Sequence, residues 1–202
     1  MKIGTQNQAF FPENILEKFR YIKEMGFDGF EIDGKLLVNN LEEVKAAIKE
    51  TGLPVTTTCG GYDGWIGDFI EERRLNGLKQ IERILEPLNR YQDHMINTLA
   101  DARRYIVENN LKHVQIIGDF YHMNIEEDNL AQALHDNRDL LGHVHIADNH
   151  RYQPGSGTLD FHALFEQLRA DNYQGYVVYE GRIRAEDPAQ AYRDSLAWLR
   201  TC

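Results

Sequence analysis

GHVHIADNHRYQPGSGTLDF, residues 142–161, passes from an apolar strand into a polar loop and then into a helical pattern. His143-Val144-His145-Ile146-Ala147 alternates as a buried strand does, which puts both imidazoles on one face. The loop ends in a Gly-rich turn, and helical periodicity starts at Asp160. A strand that ends in His and opens into a loop carrying His150 and Arg151 can hold a metal beside an anionic or polyhydroxyl ligand. It can equally carry two core histidines satisfied by their neighbours. The ends of the other strands decide between these readings.

Met1 to Gln8 reads as a short strand ending in Thr5-Gln6-Asn7-Gln8. A helix runs from Pro12 to Met25, stopped by Gly26. Phe27 to Ile32 is a second strand with Glu31 near its end. Leu41 to Thr51 is helical, with Gly52 as its C′ residue. Pro54 to Thr58 is β-branched strand sequence entering Cys59-Gly60-Gly61, where a ligand can approach the backbone. Glu71 to Leu85 reads as a helix, and Thr98 to Asn109 as another, with Thr98 as N-cap and Asp101 at N3. Val114 to Asp119 is a buried strand, and Asn129 to Asp139 a helix. Phe161 to Arg169 is helical, Gly175 to Glu180 is the last strand, and Pro188 to Leu199 closes the chain as a helix.

This alternation specifies a parallel sheet covered by helices. No G-x-G-x-x-G follows the first strand, so a dinucleotide fold has no support. Polar residues at nearly every strand end fit a (β/α)8 TIM barrel, whose active site is assembled at one face. The chain reads as one such α/β domain over residues 1–202. One place breaks the rhythm: VQIIGD and GYVVYE carry their carboxylates after apolar strands, whereas Glu86 follows the helical run LNGLKQIERIL with no strand between. Fewer strand candidates appear than the eight a barrel wants in about 250 residues. We therefore expect about two βα units, ~60 residues, to be lacking near residues 84–86, either deleted from the molecule or merely absent from this sequence.

A net charge of -10 disfavours nucleic acid as the main partner, because phosphate neutralisation needs basic patches. Cys59 and Cys202 show neither ligand spacing nor a disulfide framework, which suits a reducing cytoplasm. No stretch approaches membrane-spanning length, and no apolar leader opens the chain. The expected partner is a small molecule, with neither nucleic acid nor membrane; homo-oligomer formation stays open.

Glu86, Asp119, His145 and Glu180 form a strand-end set of three carboxylates and one imidazole. Such an N/O shell suits Mn²⁺, Mg²⁺ or Co²⁺ better than a thiolate-rich zinc site. His122 and Arg151 would then face the oxygens of a ligand. Glu31 and His143 read as supporting or core residues.

The motifs EPLNRYQDH (86–94), GDFYHMN (118–124), HVHIADNHR (143–151) with PGSGTLDF (154–161), and YVVYEGR (176–182) resemble the xylose-isomerase-like barrel superfamily. Within it they are most similar to the sugar isomerase/epimerase group of ketose 3-epimerases and hydroxypyruvate isomerase, extending to epimerases of 3-keto-glycosides. The resemblance implies metal ligation by Glu86, Asp119, His145 and Glu180, and Mn²⁺ as the first expectation. It implies substrate contact by His122 and Arg151, with Gln92 and the Cys59 loop as further contacts. Gln92 departs from the pattern, because similar ketose 3-epimerases carry Glu there; the lost charge puts free-ketose specificity in question. The full barrel of the family also has two units where this chain shows its break.

A divalent ion on a carbonyl and an adjacent hydroxyl acidifies the C–H between them by stabilising an enediolate. Glu86 and Glu180, on opposite sides, would act as base and acid, giving epimerisation, or isomerisation if the proton returns to the neighbouring carbon. Two other classes share the pattern. An endonuclease IV-like nuclease would use Glu86, Asp119, His122, His145 and Glu180, but its extra His ligands and Asp-x-His are absent. A non-catalytic sugar-binding barrel becomes serious if the lacking units are truly deleted, since an opened barrel exposes apolar edges.

Overall fold

A computed structural model of the chain describes residues 1–59 and 84–202. The Gly60-Gly61 turn and residues 71–83 of the expected helix lie outside the described residues. Contacts divide the chain into two units, whose described parts are residues 1–59, 146–161 and 174–202, and residues 84–145 and 162–173.

The first unit is built on four parallel strands, β1 (Lys2–Thr5), β2 (Gly29–Asp33), β3 (Val55–Cys59) and β7 (Tyr176–Tyr179), in the order β3-β2-β1-β7. Helices α1 (Ile15–Glu24), α2 (Gly34–Asn39), α3 (Leu41–Thr51) and α8 (Pro188–Leu199) belong to it. Helix α1 starts later than Pro12 because Asn14 caps it, its side chain accepting from Glu17 N. Helix α2 is an addition to the sequence reading: Asp33, the last strand residue, turns and caps it by accepting from Leu36 N. Gly52 ends α3 at φ 66, a left-handed conformation that costs glycine least. The core stacks Phe19 edge-on to Phe30, and Tyr192 against Phe27 and Tyr179. Burying each such ring contributes roughly 1.5–3 kcal/mol. The Tyr192 hydroxyl is satisfied by Thr5 at the end of β1.

The second unit holds β4 (Ile84–Leu85), β5 (Gln115–Asp119) and β6 (Leu141–Ile146, whose last residue belongs to the first unit), all parallel, with β5 in the middle. Its helices are α4 (Leu99–Glu108), α5 (Phe120–Glu126), α6 (Leu130–Asp136) and most of α7 (Phe161–Ala170). Thr98 and Asp101 form a complete capping box on α4, as their spacing predicts. Leu99, Ala102 and Ile106 bury one face of that helix. Gly142 is the second residue of the histidine strand, and a Cβ there would lie 2.6 Å from the Gln115 side chain of β5.

Two sequence expectations are corrected. The helix expected to reach Leu85 does not: Ile84 and Leu85 are strand, paired with Gln115 and Ile116. Glu86 therefore does follow a strand, one of two residues, too short to leave an alternating pattern. No described helix is long and apolar enough to cross a membrane.

Candidate functional site

Strands β5 and β6 run parallel with Gly118 opposite Val144 and Asp119 opposite His145. Their last side chains are thereby brought abreast at the C-terminal ends. Strand β4 flanks β5 with Leu85 opposite Ile116, so Glu86 emerges at the same end. Glu86, Asp119 and His145 each offer a donor atom, and these atoms lie within 4.8 Å of one another. Opposite ligands on one ion at about 2.3 Å stand about 4.6 Å apart. The three atoms are thus close enough together to share one ion. The Glu86 Oε1 to His145 Nδ1 separation is 3.6 Å, beyond hydrogen-bond range and suited to two ligands of one ion. Two carboxylates and an imidazole fit a hard divalent cation.

Asp119 has two tasks. One oxygen accepts from Tyr121 N and His122 N at 2.8 and 3.3 Å and caps α5. The other lies 3.7 Å from His122 Nε2. His122, buried at 1% exposure, takes the Asn89 backbone N–H (3.1 Å) and side-chain amide (2.8 Å) on Nδ1. Nδ1 is therefore an acceptor, and the ring hydrogen sits on Nε2, toward Asp119. Asn89 itself is held by a loop tied at both ends to α5. Glu126 accepts from Arg90 N and pairs with its guanidinium, and Glu127 accepts from Leu99 N. The hydrogen bond from Arg90 keeps the Glu126 carboxyl below its usual range, whereas burial raises that of Glu127.

In the first unit Glu180 follows β7, and its N–H donates to Ile146 O, the residue after His145. Arg151 Nη2 stands 3.3 Å from Glu180 Oε2. Arg151 adopts φ 60, a left-handed conformation uncommon for a side chain of this size. Glu31 is a buried polar support that accepts from Gln6 and Thr57. Cys59 ends β3 and is exposed, and neither cysteine is in a disulfide.

The second unit thus gathers Glu86, Asp119, His145 and His122, and the first joins Glu180 to Arg151. His143 lies edge-on to His145 at 4.9 Å between ring centroids, on the same face as expected. Gln92 is exposed on the loop, where its backbone N–H donates to Asn89 O. Sequence reasoning passed over Asn89 and Asp148. Both are buried polar residues inside the quoted motifs, which was the available signal.

The family model described as a xylose isomerase-like TIM barrel matches residues 19–86 and 79–202. Over 262 aligned positions the chain is 76% identical to the 3-dehydro-D-guloside 4-epimerase of Escherichia coli (strain K12), covering all of both. This chain supplies 202 residues to those positions, so about sixty have no counterpart in it. The two family-model stretches meet between residues 79 and 86, where the break in rhythm was expected. A D-psicose 3-epimerase of Agrobacterium fabrum is 34% identical over 124 residues, 61% of this chain and 40% of that protein. Among solved structures, the apo 3-keto-D-glucoside 4-epimerase of E. coli superposes with TM-score 0.95 at 75% identity over the full span of both chains. A D-psicose 3-epimerase solved with D-fructose gives TM-score 0.85 at 18% identity over 100% of this chain and 99% of that one, a likeness of fold. The chain belongs to the xylose isomerase-like TIM barrel family, within its group of sugar-epimerising enzymes.

Proposed function

We propose that the chain is a divalent-metal-dependent epimerase of keto-sugars, most directly of a 3-keto-glycoside, acting through an enediolate. The convergence of Glu86, Asp119 and His145 carries this reading. Glu180 is offered as the fourth ligand, supported by its backbone bond to the residue after His145. A divalent ion in that shell, Mn²⁺ first and Mg²⁺ or Co²⁺ next, would polarise a bound carbonyl and acidify the adjacent C–H.

The residues of the chain do the proton work. Glu86 and Glu180 take the proton from one face of the carbon and return it on the other, which inverts the centre. His122 offers Nε2–H to a substrate oxygen and cannot act there as a base while Asn89 donates to Nδ1. Arg151 presents a planar fork to neighbouring oxygens and stands 3.3 Å from Glu180 Oε2. Gln92 and Cys59, both exposed, are offered as outer substrate contacts.

The test is proton exchange. The chain is incubated with a 3-keto-glucoside in D₂O with Mn²⁺, and deuterium is expected at one carbon beside the carbonyl. The sixty positions without a counterpart favour one other reading, a non-catalytic sugar-binding barrel, because each βα unit contributes a strand end to the active face. Sugar binding with no deuterium uptake in the metal-loaded chain would select that reading.

A further inference from the structure

We propose that Asp148 is a positioning residue that sets the conformation of the 148–159 loop and, through it, the placement of Arg151. This rests on the reading of Arg151 as a substrate contact. Asp148 is fully buried, yet its carboxylate is saturated by backbone donors. One oxygen accepts from Gly155 N at 3.0 Å and Gly157 N at 2.8 Å. The other accepts from Asn149 N at 2.9 Å and Leu159 N at 3.2 Å. A loop that turns four of its amides inward at one carboxylate is a nest built around an anionic side chain, here supplied by the chain itself.

The backbone of Asp148 closes the same loop. Its carbonyl accepts from Arg151 N at 2.8 Å, and its N–H donates to Tyr152 O at 3.0 Å. Between those two bonds the chain must reverse within three residues, and Arg151 takes the left-handed conformation at φ 60. The outer rim is pinned to the segment after β7. Arg182 N donates to Arg151 O, and Gln153 exchanges bonds with the Arg184 backbone in both directions. The strained residue is thus held on two sides, and its guanidinium lies against Glu180.

The geometry also explains why asparagine cannot replace Asp148. Each carboxylate oxygen receives two N–H groups, so an amide in either orientation aims its own NH₂ at a pair of donors. Gly157 offers an independent perturbation. A Cβ there would lie 2.3 Å from Asp148 Oδ1 and 2.1 Å from Asn149 Oδ1, so G157A must displace the carboxylate without removing it.

The test uses the full chain in two arms. The first needs no activity: hydrogen exchange of the Gly155, Gly157 and Leu159 amides, and the Arg151 Nε–H resonance, are compared in wild type, D148N and G157A. Exchange about tenfold or more faster, with a shifted Arg151 resonance, is expected in both variants. Protection and Arg151 resonance that stay as in wild type would overturn the proposal, and G157A decides alone if D148N does not fold. The second arm is a double-mutant cycle of kcat/KM on a methyl 3-keto-glucoside with Mn²⁺. D148N and R151K should each lower it about tenfold, and the double variant should be no worse than R151K. Additive losses would mean Asp148 acts apart from Arg151, and the proposal fails. A wild-type chain that incorporates no deuterium fails the epimerase reading instead, and the first arm still decides Asp148.

Discussion

Nδ1 of His122 accepts from both the backbone N–H and the side-chain amide of Asn89, at 3.1 and 2.8 Å. A loop residue thereby chooses which nitrogen of a distant imidazole carries the hydrogen. N89D replaces the side-chain donor by an acceptor while the backbone N–H still donates to Nδ1, so the Nε2–H tautomer loses one of its two supports. The expected outcome is a change in the imidazole ¹⁵N shifts of His122 and a fall in kcat/KM of about tenfold or more, since a lost or inverted hydrogen bond to a buried group costs roughly 1–3 kcal/mol. Shifts unchanged from wild type would separate Asn89 from the tautomer.

Asp119 caps α5 with one oxygen and is offered as a metal ligand, and two substitutions separate the tasks. Asparagine caps helices about as well as aspartate, so D119N should melt near wild type while Mn²⁺ affinity drops at least about tenfold. D119A should lose the metal and also about 1 kcal/mol of stability. Calorimetric titration after chelation should find one ion per wild-type chain; a D119N chain that binds Mn²⁺ as tightly as wild type removes Asp119 from the ligand set.

Glu180→Gln keeps the shape of the side chain but deletes a proton acceptor. Deuterium exchange into substrate should fall by about 10²-fold or more. Near-normal turnover with metal bound would place the base elsewhere.

The Arg90–Glu126 pair gives the chain an acid-side weakness. Because Arg90 holds the folded-state value of Glu126 below the ordinary 4.5, the unfolded chain binds the proton more readily. The contribution is present above pH 4.5 and is lost as pH falls through the lowered folded-state value. Glu126→Gln should therefore flatten the acid limb of the melting temperature against pH. An acid limb as steep as that of wild type would assign the loss to other carboxylates.

Much of this protein was written locally. Helix α8 begins and ends where its pattern predicts, and Thr98 and Asp101 form the capping box their spacing demands. The strand-end residues Asp119 and Glu180 and the paired histidines of β6 were legible because side-chain alternation and the change from apolar to polar are local signals. The missing βα units were legible too, as a break in rhythm before Glu86. Short helices α2 and α5 were not, because Asp119 read as a strand end and Asp33 lay just past one, and each caps the next helix only once the backbone has turned. Strand β4 was hidden because two residues carry no period, and its identity comes from pairing with Gln115 and Ile116. Tertiary structure alone decided that Asp119 stands abreast of His145, that Asn89 meets His122, and that Asp148 is buried among four amides. Register between strands and the burial of a polar group depend on residues far away in sequence, so the local pattern that predicts a strand or a loop is silent about which side chains will meet across it.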